Sequence, residues 1–253
     1  TICSSTSWLS TATWTVIRSF KRVLSDRDAR PDRQLTIGST RLTVLDLLTR
    51  FFSAMRDAIR ERSNLPAALA REEELLAVVA TPANALGAQR FLTPDAFRRA
   101  GFHVLATLNE PSAAGFEYSH RHRNTLNARR EHVVVYDLGG GTFDASLVKM
   151  TGRMHDAVTT AGLARLGGDD FDAVLLELVL EQAGIRGSQL SPRIRAQLSD
   201  TCREVKERLN PNSRRIVVEL DSSLGADSPV PSVTLPVADY YAACAPLVEK
   251  TVE

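Results

Sequence analysis

A chain of 253 residues with 43% apolar side chains has material for one large or two small packed domains, and its formal charge of +1 excludes a global electrostatic attraction to nucleic acid. No run of about eighteen apolar residues is present, and the segment from Ile2 to Phe20 is too rich in Ser and Thr for a membrane span. Cys3, Cys202 and Cys244 are widely spaced, odd in number and form no C-x-x-C pair, which points away from zinc or dithiol chemistry and towards a reducing cytoplasm.

In chain order, Trp8 and Trp14 read as packing residues. Val44, Leu47, Leu48, Phe51, Phe52, Met55 and Ile59 recur at helical spacing, which predicts an amphipathic core helix. Leu75 to Val79 predicts a short buried strand ended by Thr81-Pro82, and Thr93 to Ala100 a helix beginning at Pro94. His103 to Leu108 predicts a strand that delivers Asn109 and Glu110 to its carboxyl end, where open α/β sheets collect ligands. The basic stretch Arg121-His122-Arg123 and Arg129-Arg130 reads as a solvated loop between two lobes.

Val133 to Tyr136, three of them β-branched, predict a strand covered on both faces, and Ala145 to Val148 resume a strand pattern, so the glycines between close a hairpin. Beyond Gly168, helices over Phe171 to Gln182 and Pro192 to Leu209 and a strand over Arg215 to Leu220 predict a separate α+β subdomain.

The chemistry concentrates in Asp137-Leu138-Gly139-Gly140-Gly141-Thr142-Phe143-Asp144. Glycines let backbone N–H groups approach an anion with no Cβ in the way, and successive amides form a nest for phosphate oxygens. Two flanking carboxylates would repel a phosphate unless a cation lies between them, and Mg2+ suits carboxylates, water and phosphate oxygens. The plain alternative is a glycine-rich turn with two solvated aspartates. A Rossmann loop is excluded because its glycines open a helix, and no G-x-x-x-x-G-K-S/T sequence occurs.

These residues resemble the second phosphate loop of the actin-like ATPases, and the Phe143-Asp144 ending resembles that of the DnaK-type seventy-kilodalton heat-shock chaperones (Hsp70). Asn109-Glu110-Pro111-Ser112-Ala113-Ala114 is similar to that family's N-E-P-T-A-A, Leu166-Gly167-Gly168-Asp169-Asp170-Phe171-Asp172 to its L-G-G-E-D-F-D, and Thr81-Pro82-Ala83 with Gln89-Arg90 to its V-P-A and Q-R. The resemblance implies an α/β, actin-like (ribonuclease H-like) two-lobed fold, incomplete at both ends. Residues 1–43 would be part of a peripheral subdomain of the first lobe, 44–124 the core of that lobe, 125–166 the core of the second lobe with the phosphate hairpin, and 167–253 its peripheral α+β subdomain.

The implied activity is ATP hydrolysis coupled to binding and release of unfolded polypeptides, in protein folding and the stress response of the cytoplasm. ATP or ADP, Mg2+ and a monovalent cation such as K+ are the implied cofactors. Lys21, in a segment similar to the family's S-x-K-R-L, would reach the transferred phosphate and the attacking water; read alone it is a solvated surface lysine. Glu110 would face that water, and also reads as a helix-capping acid before Pro111. Thr142 would donate to the γ-phosphate, Asp137 would hold Mg2+ through waters, and Asp144 would bind the monovalent cation.

Gly139, Gly140 and Gly141 would cradle phosphate, while Gly167 and Gly168 would approach the nucleotide from the second lobe, or simply form a helix start capped by Asp169. On the adenosine side Arg203, Lys206, Glu207 and Asn210 stand where the family has a glutamate, a lysine, often an arginine, and a serine. Lys206 is retained; Arg203 reverses a charge and is expected to pair with Glu207 one helical turn away.

Pro82, Arg90 and Glu110 match the family's interlobe relay. Ala106 replaces an arginine used to recruit J-domain partners, so a divergent or absent co-chaperone is implied beside a nucleotide-exchange factor and client polypeptides, with neither nucleic acid nor membrane as partner. The family's D-L-G-T-T loop would precede these residues, and its G-G-S-S-R-I-P segment, β-domain and lid would follow them. The isolated segment is therefore expected to be inactive and to aggregate through exposed sheet edges. Two other classes remain open: a catalytically lapsed interaction protein of the same fold, and a small-molecule kinase of the same superfold.

Overall fold

The computed structural model describes residues 21–24, 26, 28–122, 131–151, 154–224 and 230–252. Cys3, Trp8, Trp14, Ser19, Arg123, Arg129 and Arg130 lie outside the described residues. The chain is mixed α/β with small sheets, and it groups into two units: residues up to Asp137 with Asp144–Gly162, and Leu138–Phe143 with residues from Leu163 onward.

In the first unit a short helix α1 (Lys21–Leu24) precedes an antiparallel ribbon of β1 (Gln34–Ile37) and β2 (Thr40–Thr43), which runs directly into α2 (Val44–Arg62). Thr43 caps α2: its hydroxyl accepts from the Asp46 N–H at 3.0 Å, while its own hydroxyl and N–H donate to the Asp46 carboxylate, holding that carboxyl below its ordinary range. The apolar stripe read from the sequence is the buried face, with Val44, Leu48 and Phe52 against Leu92 and Ala96. Phe97 bridges Phe52 and Phe102, with ring centroids 4.0 and 5.1 Å apart.

After α3 (Ala67–Ala70), β3 (Leu75–Thr81), α4 (Gly87–Arg99) and β4 (Phe102–Asn109) form a strand–helix–strand unit whose two strands are parallel. The expected buried strand, β3, is buried on one face only: Leu75 and Val79 pack inward, whereas Leu76 and Val78 are 69% and 56% exposed. An apolar run fits one-sided and two-sided burial alike, and the core built with α2 and α4 takes up Leu75. α4 does not begin at Pro94; it begins at Gly87, so Pro94 lies two turns inside and merely withholds an N–H from the carbonyl of Arg90.

From the end of β4 the chain enters α5 (Glu110–Arg121). β5 (His132–Leu138), β6 (Phe143–Thr151) and β7 (Met154–Leu163) then make a three-stranded sheet in that order. The β5–β6 link of four residues is too short for a parallel crossover, so this pair is the expected hairpin. β5 is not covered on both faces: Val134 and Tyr136 are 67% and 51% exposed, whereas Val133 and Val135 between and beside them are half-buried, the alternation of a strand covered on one face. Its neighbour β6 carries the inward set, with Phe143, Ser146, Val148 and Met150 buried.

The second unit packs α6 (Gly168–Gln182), α7 (Pro192–Glu207) and α9 (Val237–Glu249) around the antiparallel pair β8 (Arg215–Glu219) and β9 (Ser232–Pro236), with a short α8 (Asp221–Leu224) in the connection. Its core holds Leu175, Val179, Leu198, Cys202, Ile216, Val218, Leu220 and Tyr240. Ile216 and Val218 face inward while Val217 faces out, the alternation of a one-sided sheet. Cys202 and Cys244 are buried free thiols. No described helix is long and apolar enough to cross a membrane.

Two outcomes follow for the second unit. Leu198 is fully buried, so Leu198→Ala should lower the unfolding free energy in a urea titration by about 2–5 kcal/mol, whereas Val217→Ala on the outer face should change it by less than about 1 kcal/mol. Burial, assisted by the Asp172 charge, pushes the Cys202 thiol from 9.0 up to about 12. The unfolded chain therefore sheds a proton that the folded chain keeps. This contribution to stability is fully present below pH 9 and falls as pH rises from 9 to 12, at about 1.4 kcal/mol per pH unit. Urea titrations across that window should show a shallower decline for Cys202→Ala than for the unsubstituted chain.

Candidate functional site

β5 ends at Asp137-Leu138, and Gly139 to Thr142 turn the chain back into β6. The turn is closed by the Gly139 N–H, which donates to the Thr142 carbonyl at 2.9 Å, and buried Phe143 anchors its far end. Against this turn stands the amino end of α6. The Gly168 N–H donates to the Gly139 carbonyl at 2.9 Å and the Asp169 N–H to the Gly140 carbonyl at 2.8 Å. The Gly167 N–H donates to the Asp170 carboxylate at 2.9 Å, and the Asp170 N–H returns to the Gly167 carbonyl. The helix cap is thus Asp170, not Asp169: Asp169 contributes its main-chain N–H to the loop.

Glycine at 167 is demanded by space. Its backbone is extended, but a Cβ there would lie 2.6 Å from Gly140 C and Gly141 N and 2.7 Å from Gly139 O. At Gly168 a Cβ would meet Lys206 Nζ at 3.4 Å and the Gly140 Cα at 3.6 Å, which is close to ordinary contact.

Lys206 reaches this corner from α7. Its ammonium lies 2.6 Å from Asp172 Oδ1 and donates to the Gly168 carbonyl at 3.1 Å; the Asp172 side chain is 5% exposed and that of Lys206 19%. The second unit therefore brings together Gly139, Gly140, Gly141, Thr142, Gly167, Gly168 and Lys206. Asn210 is engaged elsewhere: its Oδ1 accepts from the Asn212 N–H and its own N–H donates to Ser213 Oγ, shaping the turn between α7 and β8. Arg203 donates to Glu207 at 2.8 Å, the expected pair, and this hydrogen bond raises the guanidinium further above its ordinary value.

In the first unit, Thr81 is paired in register with Asn109, so Pro82 and Glu110 leave the same carboxyl end of β3 and β4. Glu110 is the first residue of α5, and Pro82 is buried. The Arg90 guanidinium donates to the carbonyls of Ala83 at 2.6 Å and Ala85 at 3.0 Å, holding the loop after Pro82. Arg90, Asn109, Ser112, His155 and Asp156 line a cleft of about 550 Å3 at this strand end. Asp137 and Asp144 belong to this unit, at the end of β5 and the start of β6. The Lys21 side chain lies outside the described residues.

Among the described residues no group of three or more His, Cys, Asp or Glu is placed to hold a metal by itself. Asp137 and Asp144 carry carboxylates, the ligand type that suits a hard cation which keeps its waters and shares phosphate oxygens. Sequence reasoning missed the role of Asp172. It lies within the motif Leu166 to Asp172, one turn after Gly168, but its partner is thirty-four positions away on another helix.

The family model described as Hsp70 protein matches residues 62–253. The chain is 42% identical over 167 residues to a chaperone protein HscA homolog of Colwellia psychrerythraea, covering 65% of this chain and 25% of that protein. It is 38% identical over 180 residues to the homolog of Burkholderia cenocepacia, covering 71% and 28%, and 40% identical over 182 residues to that of a Janthinobacterium species, covering 72% and 27%. The chain thus spans about a quarter of the length of these curated relatives.

The contact at Gly167 sets an expected outcome. Gly167→Ala forces a Cβ into the backbone of the glycine loop and should lower the thermal midpoint by several degrees, a cost of about 1–3 kcal/mol. Gly87→Ala, at the first position of α4 with nothing within 4 Å, should leave stability unchanged or raise it by up to about 1 kcal/mol. Equal loss in both variants would refute the steric account.

Proposed function

The chain belongs to the Hsp70 protein family, and we propose that it forms the ATP-binding, ATP-hydrolysing region of a DnaK-like chaperone that couples nucleotide state to binding and release of unfolded polypeptides. The observation that carries this reading is the glycine loop of residues 139–141 braced by two main-chain hydrogen bonds from the start of α6, a backbone cradle with no side chain in its way. Family membership does not favour a small-molecule kinase or a lapsed interaction protein.

In this proposal the fold is two-lobed and actin-like, with residues 1–43 and 44–124 in the first lobe and 125–166 and 167–253 in the second. Phosphoryl transfer asks a protein for positioning and charge stabilisation more than covalent chemistry. Gly139, Gly140 and Gly141 hold the phosphates, and the Thr142 hydroxyl donates to the γ-phosphate. Lys21 and Glu110 orient the attacking water. Asp137 holds Mg2+ through waters, and Asp144 a monovalent cation such as K+. When bound, Mg2+ supplies neutralisation of the phosphate oxygens. Gly167, Gly168, Lys206 and Asn210 form the nucleotide's other border, and the Arg203–Glu207 pair replaces a ribose-binding carboxylate.

Pro82, Arg90 and Glu110 pass the nucleotide state onward. The Arg90 hold on the loop after Pro82, at the strand end where Glu110 starts its helix, supports this reading. The proposed partners are unfolded clients, a nucleotide-exchange factor and, with Ala106 at its contact, a divergent J-domain protein. The proposed setting is the cytoplasm.

Calorimetric titration with ATP and Mg2+ tests the reading. The expected result is saturable, Mg2+-dependent binding that weakens at least about tenfold in Asp137→Asn and in Thr142→Ala, equivalent to about 1.4 kcal/mol. Equal binding by all three would overturn it.

A further inference from the structure

We propose that Asp172 is a positioning residue of the nucleotide's border: its buried carboxylate holds the Lys206 ammonium against the start of α6 with one N–H left to meet the ligand. The inference rests on the reading of Lys206 as part of that border. An ammonium has three N–H donors. Lys206 Nζ lies 2.6 Å from Asp172 Oδ1 and donates to the Gly168 carbonyl at 3.1 Å, which leaves one donor uncommitted. The Lys206 side chain is 19% exposed, so the ammonium is held without being sealed off. A Cβ at Gly168 would stand 3.4 Å from this nitrogen and 3.6 Å from the Gly140 Cα, which places the ammonium beside the glycine loop itself.

Stability alone is a poor reason for this pair. Burying two charges costs desolvation, and apolar side chains of similar volume are often as stable in their place. The Asp172 side chain is 5% exposed and lies on α6 one turn beyond Gly168, with its charge reaching into the core. Burial first, and Asp172 after it, push the Cys202 thiol up to about 12. What the carboxylate supplies is a fixed place for a cation carried on a long flexible stem. A lysine held before the ligand arrives loses less freedom on binding, and the affinity rises by that difference. Arg203 also feels the Asp172 charge, but its guanidinium donates to Glu207 at 2.8 Å, so Asp172 is left to Lys206.

The test reads the lysine directly, by nitrogen NMR of the side-chain ammonium groups in the whole chain. Lysine occurs only at positions 21, 149, 206 and 250, and the Lys206 signal is assigned from its own backbone. The Lys206 ammonium should exchange its hydrogens with water roughly tenfold more slowly than that of exposed Lys250. In Asp172→Asn, which keeps the shape and removes the charge, that difference should vanish while the amides of β8 and β9 stay protected. Titrations with ATP and Mg2+ complete a cycle. Asp172→Asn should weaken binding about tenfold where Lys206 is present, and leave it unchanged in the Lys206→Met background, which has no ammonium to place.

Equal exchange at Lys206 and Lys250 in the unsubstituted chain, or an unchanged Lys206 signal in Asp172→Asn, would overturn the proposal. The comparison within the unsubstituted chain carries the test where Asp172→Asn does not fold. Equal weakening of ATP binding by Asp172→Asn in both backgrounds would also overturn it, since a purely structural carboxylate gives that result. ATP binding undiminished in Lys206→Met would instead sink the reading of Lys206 as part of the border. The exchange measurement uses no nucleotide, so the two failures are told apart.

Discussion

The meeting of two backbones at Gly167 is the constraint on which the rest of the second unit's site depends. Three loop atoms lie within 2.7 Å of where its Cβ would be, so no other residue type lets the start of α6 lie against the glycine turn at this distance. Once they are that close, the Gly168 and Asp169 amides find the Gly139 and Gly140 carbonyls, and the loop is fixed by main-chain bonds alone. The loop's shape is therefore a property of the packing of α6, and α6 is in turn pinned by the core of Leu175, Val179 and Leu180. A flexible three-glycine turn, which would lose much backbone entropy on ordering, is ordered by its neighbour.

That bracing has an electrostatic consequence. A helix start ordinarily offers unpaired N–H groups and a positive dipole end to an anion. At α6 the amides of Gly168, Asp169 and Asp170 are all engaged within the protein, and Asp169 and Asp170 add negative charge at the same end. This end of α6 is built to hold the loop. A phosphate at this loop would therefore be drawn by the loop's own amides rather than by this helix start.

Much of this was legible in the sequence where chemistry and spacing are local. The turn between Asp137 and Asp144, the stripe of α2 and the i,i+4 pair Arg203–Glu207 each follow from residues within a few turns of one another. What escaped was set by distant chain. Leu76, Val78, Val134 and Tyr136 sit in apolar runs that fit burial on one face or two, and only the placement of helices decides. Pro94 looked like a helix start because proline favours that position, yet Gly87 to Thr93 already form two turns ahead of it. The choice of Asp170 over Asp169 as cap depended on the loop claiming the Asp169 amide. The link between Lys206 and Asp172 joins two helices and leaves no periodic trace in either.

Arg90 and Lys206 show one further regularity. Both are cations whose nearest partners include main-chain carbonyls of segments that border a helix start: Ala83 and Ala85 before α4, and Gly168 at the first residue of α6. In each place the side chain fixes backbone position, with charge serving to strengthen the hydrogen bond. The two residues are not interchangeable in this role. The planar fork of Arg90 reaches two carbonyls of one loop at once, while the compact ammonium of Lys206 fits between a carboxylate and a single carbonyl in a site only 19% exposed. A signal that moved either segment would have to break bonds to the main chain, which makes these two positions the stiff points of their respective units rather than points on an open charged surface.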